Sequence, residues 1–395
     1  MIHLKTSTLV VIVLVVAALI GYVALAFAYP VALDKEHLLD FDIFYLVSTM
    51  IGEGNLAEAY APVSFLPRQS LVAGFDGTEM FWSYPPHFNL IVAPLSALPI
   101  SVSYTLFMAV TLVFYVLVIR ALAGPSFHTV VVLFLPLVLL IIKSGQNSFI
   151  TGGLIGLTCL LALRQSRWAG LPLGLMIIKP HLALGVGIWS LLDRRWWLAA
   201  FSLIVVAGVS VIATLAFGQG VWKTSFTAIA GTADVLREGR FPLFRMTSIY
   251  ASALSFGAGH LVAMILHVSS VLAALGALVA LSRAKLPTEV FLGAGVVVSG
   301  LISPYNYDYD LAMLAAAACL LFETIRQYAS AKEKAVLVAV TLAIGGHGLA
   351  ITVILDKVLN DKSAAPISVL GPILFASGIV LFRVIWRSRP VGATA

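Results

Sequence analysis

Long apolar runs recur along the chain, each bounded by charged residues or by proline and glycine. A helix needs roughly 20 apolar residues to cross a hydrocarbon core of about 30 Å. The first run, 9–28, contains no charged residue and is too long for the apolar part of a signal peptide. Further runs predict membrane spans at 100–122, 127–143, 147–163, 197–218, 260–283, 288–303, 308–326, 335–355 and 367–387. The pattern predicts an all-α, polytopic transmembrane helical bundle of about 10–12 spans, which is a single integral membrane domain over 1–395.

The stretch 168–193 follows Arg164 and Arg167, precedes Arg194 and Arg195, and has Lys179-Pro180-His181 in its middle. Proline removes a backbone donor and disfavours helix at the preceding residue. We therefore predict a broken helical hairpin over 168–193, with Lys179 at its tip and all four flanking arginines on one side. The alternative is a single crossing in which Lys179 extends its ammonium group toward the interface.

The distribution of charge orients the spans. Of the 24 Lys and Arg residues, 14 fall in the short segments that this topology places inside, which hold only four of the 18 acidic residues. Cytoplasmic loops are enriched in Lys and Arg, so we predict that both termini are cytoplasmic in a bacterial inner (plasma) membrane. Two long segments then face out, a first extracytoplasmic loop over 30–99 and a second over 218–259. Their aromatic residues favour interfacial helices.

The composition supports this picture, since 61% of residues are hydrophobic and 11% are charged, against roughly a quarter charged in soluble domains. The net charge of +6 does not indicate nucleic acid, because no basic and aromatic patch accompanies it. The two cysteines lie in apolar runs and suit neither a disulfide framework nor a metal site. We expect membrane lipids as partners, and no nucleic acid, metal or cofactor.

Two carboxylates, Asp40 and Asp42, follow the first span in an aromatic stretch. In a helix, Asp40 shares a face with Phe44, whereas Asp42 points about 200° away together with Tyr45. One aspartate can then face a site and act as a general base. The alternative is that both acids cap or solvate the start of a helix.

An ionisable residue at membrane depth is costly and therefore suggests a function. Lys179 is a compact charge suited to phosphate, and His181 can donate to a phosphate oxygen. Outer connections add the amides, aromatic rings and acids that commonly bind sugars, although the same residues also suit tight turns and an interface belt. The acceptor-binding or sugar-binding candidates are Asp42, Tyr45, Tyr84, Gln146, Asn147, Tyr305, Asn306, Asp308 and Asp310.

Five segments, in this order, resemble glycosyltransferase family 87, whose members are polytopic membrane enzymes of the GT-C structural class. They are Asp40-Phe41-x-x-Phe44-Tyr45; Tyr84-Pro85-Pro86 with Pro94 and Leu98-Pro99; Gly145-Gln146-Asn147; Gly170-Leu171-x-Leu173-Gly174-Leu175 before Lys179-Pro180; and Ser303-Pro304 with Tyr309-Asp310. The resemblance implies transfer of a mannose-like hexose from a polyprenyl-phosphate sugar to a lipid-linked or periplasmic glycan acceptor. It also implies that Asp40 is the catalytic acidic residue, on the extracytoplasmic side.

A polytopic transporter, or a lipid or sugar flippase, is the alternative function. A transporter needs ionisable residues that are accessible from both sides, whereas the candidates here cluster toward the predicted outside. Many transporters also carry internal repeats, and the sequence shows none. A non-catalytic scaffold would have no need of a Lys-Pro-His inside an apolar segment.

Overall fold

The computed structural model describes residues 38–70, 79–238, 240–353 and 367–390. Within these ranges the chain is helical, with no strand and an isolated bridge between Met246 and Tyr307. The helices are α1 (Asp40–Gly52), α2 (Leu56–Ala59), α3 (Pro62–Gln69), α4 (Pro86–Val92), α5 (Ile100–Ala123), α6 (Phe127–Ser144), α7 (Ser148–Leu163), α8 (Gly170–Leu175), α9 (Leu184–Leu192), α10 (Trp196–Phe217), α11 (Gly220–Arg237), α12 (Ile249–Ser255), α13 (His260–Ser282), α14 (Thr288–Ile302), α15 (Leu314–Tyr328), α16 (Ala331–Val353) and α17 (Leu370–Arg387). Short 3-10 turns lie at Leu95–Ala97, Gly124–Ser126, Arg167–Ala169, Met176–Ile178, Pro180–Ala183, Leu243–Arg245 and Asp308–Met313.

Five described stretches are long and apolar enough to cross a membrane: Ile100–Ser144, Trp196–Phe217, His260–Ser282, Ala331–Ile351 and Leu370–Arg387. The first of these is 45 residues long and contains α5 and α6, which meet at a break where Gly124 has a φ of +50°. Shorter apolar helical stretches are Ser148–Leu163, Arg167–Ile178, Pro180–Leu192 and Thr288–Ile302. The prediction of an all-α polytopic membrane fold is confirmed in the described ranges. The predicted first span, 9–28, lies outside them.

One predicted span, 308–326, differs at its start. It begins as the 3-10 turn Asp308–Met313, and α15 follows. Asp308 Oδ1 accepts a hydrogen bond from the Tyr309 backbone N–H at 2.9 Å, and Asp310 Oδ2 accepts one from the Tyr307 N–H at 3.2 Å. Side chains that bond to nearby backbone groups compete with a regular helix, which the apolar pattern alone does not reveal.

The chain divides into two compact units, of which the first comprises Met1–Leu112, Ser144–Gln146 and Ser210–Thr232. Its described core is aromatic. Phe41, Phe44 and Val47 lie three residues apart on one buried face of α1. The Phe44 ring meets the rings of Trp82 and Phe88 at centroid distances of 6.1 and 5.1 Å. Aromatic pairs contribute roughly 0.5–1.5 kcal/mol each beyond the burial of their area, so these rings stabilise the packing of α1.

A buried polar network holds the segment before α4. The Tyr60 hydroxyl donates to the Tyr84 carbonyl at 3.0 Å and accepts from Asn89 Nδ2 at 3.0 Å. Asn89 Oδ1 in turn accepts from Trp82 Nε1 at 3.2 Å. Burial raises the pKa of Tyr60 to about 12, although hydrogen bonds from Asn89 and Trp82 oppose this. The neutral hydroxyl therefore fixes the backbone of Tyr84.

The second unit comprises Val113–Lys143, Asn147–Val209 and Ala233–Ala395. Its described helices approach each other closely at glycines. Gly185 of α9 donates its N–H to Ser299 Oγ of α14 at 2.9 Å, and a Cβ added at Gly185 would lie 2.2 Å from the Gly295 carbonyl oxygen. A Cβ added at Gly174 of α8 would likewise lie 2.5 Å from the backbone carbonyl oxygen of Ser202 in α10. Small residues permit this backbone contact between membrane helices.

The segment from Arg167 to Leu192 is interrupted at Lys179, whose φ of −143° and ψ of 73° are not helical. The two ends of the segment lie together. Arg195 donates to the Gln165 side chain, and Trp197 Nε1 donates to the Arg167 carbonyl at 3.1 Å. The segment therefore starts and ends at one place, which puts both arginine-bearing ends side by side.

Candidate active site

Asp40 and Asp42 have different environments at the start of α1. Asp42 is 3% exposed, and its Oδ2 accepts a hydrogen bond from the Leu39 backbone N–H at 2.9 Å. This bond satisfies one of the donors that a helix start leaves without a partner inside the helix. Asp40 is the first residue of α1 and is half-buried. Asp42 thus stabilises the helix start, while Asp40 has the more accessible carboxylate.

The turn at Gly145 packs against this helix start. Gly145 has a φ of +70°, and a Cβ added there would lie 2.5 Å from Phe41 Cβ. Glycine suits both the positive φ and the close contact. The next residue, Gln146, accepts a hydrogen bond at Oε1 from the Tyr84 hydroxyl at 3.2 Å. Within the first unit, the structure therefore gathers Tyr84 and Gln146 beside the first turn of α1, which carries Asp40.

Tyr45 is also on α1, and its hydroxyl donates to the Leu98 carbonyl at 3.0 Å. This bond ties α1 to the chain just after the Leu95–Ala97 turn. Asn147, in the second unit, is fully buried at the start of α7, where its carbonyl accepts from the N–H groups of Ile150 and Thr151. The Tyr45 side chain therefore fixes α1 to the segment before α5, and the Asn147 backbone begins α7.

Lys179 forms a buried ion pair in the second unit. Its Nζ lies 2.6 Å from Asp310 Oδ1, and the two side chains are 9% and 4% exposed. The residues are 131 positions apart in the chain, so this bond joins the break between α8 and α9 to the turn before α15. A buried carboxylate and ammonium persist when each has the other as a partner.

Arg245 and Asp308 form a second ion pair in the same unit. Arg245 Nη2 lies 2.9 Å from Asp308 Oδ1, and Nε lies 3.4 Å from Oδ2. The Arg245 side chain is 19% exposed, whereas that of Asp308 is fully buried. Planar guanidinium groups suit two-point contacts of this kind with a carboxylate.

The ring of Tyr309 lies close to the cations of both pairs, and Tyr309 stands between Asp308 and Asp310 in the sequence. Lys179 Nζ is 5.5 Å and Arg245 Cζ is 5.1 Å from the centroid of this ring. Tyr307 stacks on Tyr309 at 5.2 Å, and Tyr305 meets Tyr307 edge-on at 5.6 Å. Cations within about 6 Å of an aromatic centroid are attracted by the ring. The structure thus joins Lys179, Asp308, Asp310 and the tyrosines into one cluster.

Sequence reasoning missed Arg245. It lies in the predicted second outer loop, where nothing local separates it from the other basic residues. The residues that follow pair with the 304–307 connection, since the Thr247 N–H donates to the Asn306 carbonyl at 2.8 Å and Ser248 Oγ donates to the Pro304 carbonyl at 2.7 Å. These bonds bring Arg245 next to the tyrosine-rich turn, and the sequence alone carries no signal for them.

Two further candidates have buried polar atoms. Asn306 is fully buried and donates from Nδ2 to the Gly300 carbonyl at 3.1 Å. Among the described residues, neither Asn306 Oδ1 nor the buried His181 Nε2 has a hydrogen-bond partner. His181 lies within electrostatic range of both Asp310 and Lys179. A buried polar atom without a protein partner is a place where a ligand can bind.

Metal-binding groups and cavities are two other kinds of site that the described residues could provide. No group of three or more His, Cys, Asp or Glu residues among them is placed to hold a metal ion. A groove of about 270 Å³ lies between α13, α14 and α17 and is lined by alanine, glycine, valine, leucine, isoleucine and phenylalanine. Such a groove can take an apolar chain, but it offers no acid, base or nucleophile.

Apolar helices long enough to cross a membrane, together with a sequence match to sugar-transferring enzymes, define the class of this protein: it is a multi-pass membrane glycosyltransferase. The chain belongs to glycosyltransferase family 87, whose sequence pattern matches residues 82–304, more than half of the chain. No curated protein and no solved structure matches it. Tyr84, Gln146, Lys179, His181 and Arg245 fall inside the matched range, whereas Asp40, Asp308 and Asp310 fall outside it.

Proposed function

We propose that this enzyme transfers a mannose-like hexose from a polyprenyl-phosphate sugar to a lipid-linked or periplasmic glycan acceptor. The observation that carries the donor class is the buried cation Lys179 at the break between α8 and α9. A cation there suits an anionic group that arrives within the membrane, and the phosphodiester of a polyprenyl-phosphate sugar is such a group. Its prenyl chain would lie among the apolar helices of a GT-C type bundle.

The reaction requires a base for the acceptor and a stabiliser for the leaving group. Asp40 removes the proton from the acceptor hydroxyl while the hydroxyl oxygen forms a bond to the anomeric carbon. The bond from this carbon to the phosphate oxygen breaks, and its electron pair leaves with the polyprenyl phosphate. The sugar configuration is inverted. Lys179 and His181 stabilise the charge that develops on the phosphate, so the scheme needs no metal.

The choice of Asp40 over Asp42 rests on their environments as well as on the family resemblance. Asp42 is buried and bonded to the Leu39 N–H, whereas Asp40 is half-buried at the first position of α1. Tyr84 and Gln146, which lie beside the first turn of α1, are the proposed contacts for acceptor hydroxyls. The aromatic face of Tyr305 is the proposed surface for a sugar ring.

The orientation follows from the charge pattern. Both termini are proposed to be cytoplasmic, and Asp40 is proposed to act on the extracytoplasmic side. A donor that is carried on a polyprenyl lipid fits this side, because the lipid presents the sugar at the membrane surface without a soluble nucleotide.

The decisive experiment incubates the purified full-length protein and an endogenous lipid extract with a panel of radiolabelled polyprenyl-phosphate sugars or, in parallel, with radiolabelled nucleotide sugars. We expect one donor to give a labelled product, and we expect the Asp40→Asn variant to form that product at least about 100-fold more slowly. Labelled product from a nucleotide sugar, with none from any polyprenyl-phosphate sugar, would overturn the proposed donor class.

A further inference from the structure

Arg245 has no part in the reaction described above, yet it shares a site with Lys179. Both cations lie within 6 Å of the Tyr309 ring centroid, at 5.1 and 5.5 Å. Each is paired with a carboxylate of the same short turn, Asp308 or Asp310. The cluster therefore presents two positive groups on one aromatic residue, although the chain segments that carry them are far apart in sequence.

The two carboxylates are fixed by the backbone as well as by the cations. Asp308 Oδ1 accepts from the Tyr309 N–H, and Asp310 Oδ2 accepts from the Tyr307 N–H. The Asp308 side chain is fully buried while its partner Arg245 is 19% exposed, and the corresponding values are 4% for Asp310 and 9% for Lys179. In both pairs the cation is the more accessible member. A ligand that reaches the cluster therefore meets positive charge first, although the cluster as a whole is electrically balanced.

Helix α16 confines Asp308 further. A Cβ added at Gly348 would lie 2.2 Å from Asp308 Oδ2 and 2.9 Å from Leu140 Cδ2. Any side chain at position 348 would therefore push the carboxylate away from its place. A Cβ added at Gly346, two residues earlier on the same helix, would meet nothing within 4 Å. The position of Asp308, and with it the position of the Arg245 guanidinium, therefore requires glycine at position 348.

We propose that Arg245 is a second residue that binds the donor phosphate, that it acts together with Lys179, and that Asp308 positions it. This inference rests on the proposed function, because it assigns the anion to a polyprenyl-phosphate sugar. The phosphodiester has two non-bridging oxygens, which gives one oxygen to each cation. The Asp308 pair uses Nε and Nη2 of Arg245. A guanidinium is planar and carries five N–H donors, a geometry that suits both carboxylates and phosphates.

The same arrangement serves the chemical step. When the bond to the anomeric carbon breaks, the phosphate keeps the electron pair and its negative charge increases. Two cations that are already oriented by buried carboxylates stabilise this charge without having to reorganise. Arg245 would therefore contribute both to donor affinity and to turnover.

The test measures binding of polyprenyl monophosphate, which carries no sugar, to the purified full-length protein, with uncharged polyprenol as the control ligand. Arg245→Gln should weaken binding of the phosphate lipid about 10- to 100-fold, the value of one charge-assisted hydrogen bond. Polyprenol binding should not change. Arg245→Lys, which keeps the charge but loses the planar fork, should recover part of the affinity.

Three further variants separate binding from folding. Because Arg245→Gln leaves Asp308 buried without its partner, the double variant Arg245→Gln/Asp308→Asn removes both charges and should be folded, yet it should still bind the phosphate lipid weakly. Gly348→Ala should weaken binding several-fold by displacing Asp308, whereas Gly346→Ala should bind like the wild type. Wild-type affinity of a folded Arg245→Gln variant would overturn the inference.

The outcomes distinguish this inference from the proposed function. If polyprenyl phosphate binds in an Arg245-dependent way but no polyprenyl-phosphate sugar supports transfer, the reaction is wrong and the anion site stands. If transfer occurs and Arg245→Gln leaves both KM and kcat unchanged, the reaction stands and Arg245 is a structural residue only.

Discussion

At the start of α1, the candidate base Asp40 is half-buried and the next residue, Phe41, packs among aromatic rings, whereas around Tyr309 two buried carboxylates pair with Lys179 and Arg245. Helix α1 is held by apolar contacts and by hydrogen bonds: Phe41 packs against Gly145, Tyr45 donates to the Leu98 carbonyl, and Asp42 accepts from the Leu39 N–H. In the cluster, the ion pairs of Asp308 and Asp310 join distant parts of the chain. We expect the first region to keep its fold when the Asp40 carboxylate is removed, and we expect the second to lose stability when one of its charges is removed.

This difference decides how each region is to be tested. A substitution at Asp40 should separate catalysis from stability, because Phe41 and Phe44, which anchor α1, remain packed. A substitution in the cluster couples the two, because removal of one member leaves the other as an uncompensated buried charge. Charge-neutral double variants are therefore needed around Tyr309, while single variants suffice at α1.

The largest expected effect is at Asp40. Asp40→Asn should lower kcat by about 10²- to 10⁴-fold, the usual contribution of a general base, with little change in the free energy of unfolding. Asp42→Ala is the matched control, and it should cost about 0.5–2 kcal/mol of stability through the lost cap while the folded enzyme stays active. Rates of sugar transfer and thermal unfolding of both variants measure this. Wild-type turnover in Asp40→Asn would remove Asp40 from the mechanism.

The next effect concerns the buried pair of Lys179 and Asp310. Lys179→Ala should destabilise the protein by about 3–5 kcal/mol, because Asp310 is left buried and unpaired, and it should raise the apparent KM for the donor. The double variant Lys179→Met/Asp310→Asn should recover most of the stability but not the donor affinity. Thermal unfolding and KM measurements separate these effects. Equal stability of the single and double variants would show that the pair is not a structural unit.

Much of the fold could be predicted from the sequence, because membrane thickness sets the length of an apolar run. The predicted spans 127–143 and 197–218 agree closely with α6 (Phe127–Ser144) and α10 (Trp196–Phe217). The start of α15 could not be predicted in this way. There, Asp308 and Asp310 bond to neighbouring N–H groups, and this local competition leaves no trace in the apolar pattern.

The candidate site was less accessible to sequence reasoning. Family-like motifs pointed to Asp40, Tyr84 and Gln146, but their spacing does not say that Tyr84 bonds to Gln146, 62 positions away. The same limit hid Arg245, whose partner Asp308 is 63 positions away. A single sequence offers several basic residues and several acids, and only the packing of helices determines which of them meet.

A smaller effect is expected from the turn that packs on α1. Gly145→Ala should cost about 1–3 kcal/mol by overpacking against Phe41, in addition to the strain of a positive φ. Gly54 has a φ of +79° and nothing within 4 Å of an added Cβ, so Gly54→Ala reports the φ strain alone. The difference in unfolding free energy between the two variants isolates the close contacts of position 145 with Phe41 and Tyr104. If both variants lose the same free energy of unfolding, the turn at Gly145 does not support the start of α1.

The smallest effect is expected for the bond between Tyr84 and Gln146. Tyr84→Phe should cost about 0.5–1.5 kcal/mol of stability, the net value of a neutral hydrogen bond, and should lower transfer a few-fold if the pair orients the acceptor. Tyr45→Phe, which removes the exposed bond to the Leu98 carbonyl, is the control with the same chemical change on the same unit. A double-variant cycle with Gln146→Met measures the coupling directly. A coupling near zero in stability, together with a coupled loss of transfer, would mean that both side chains act on the acceptor and not on each other. Catalysis and stability would then be separable at Asp40, Tyr84 and Gln146, in contrast to the cluster around Tyr309.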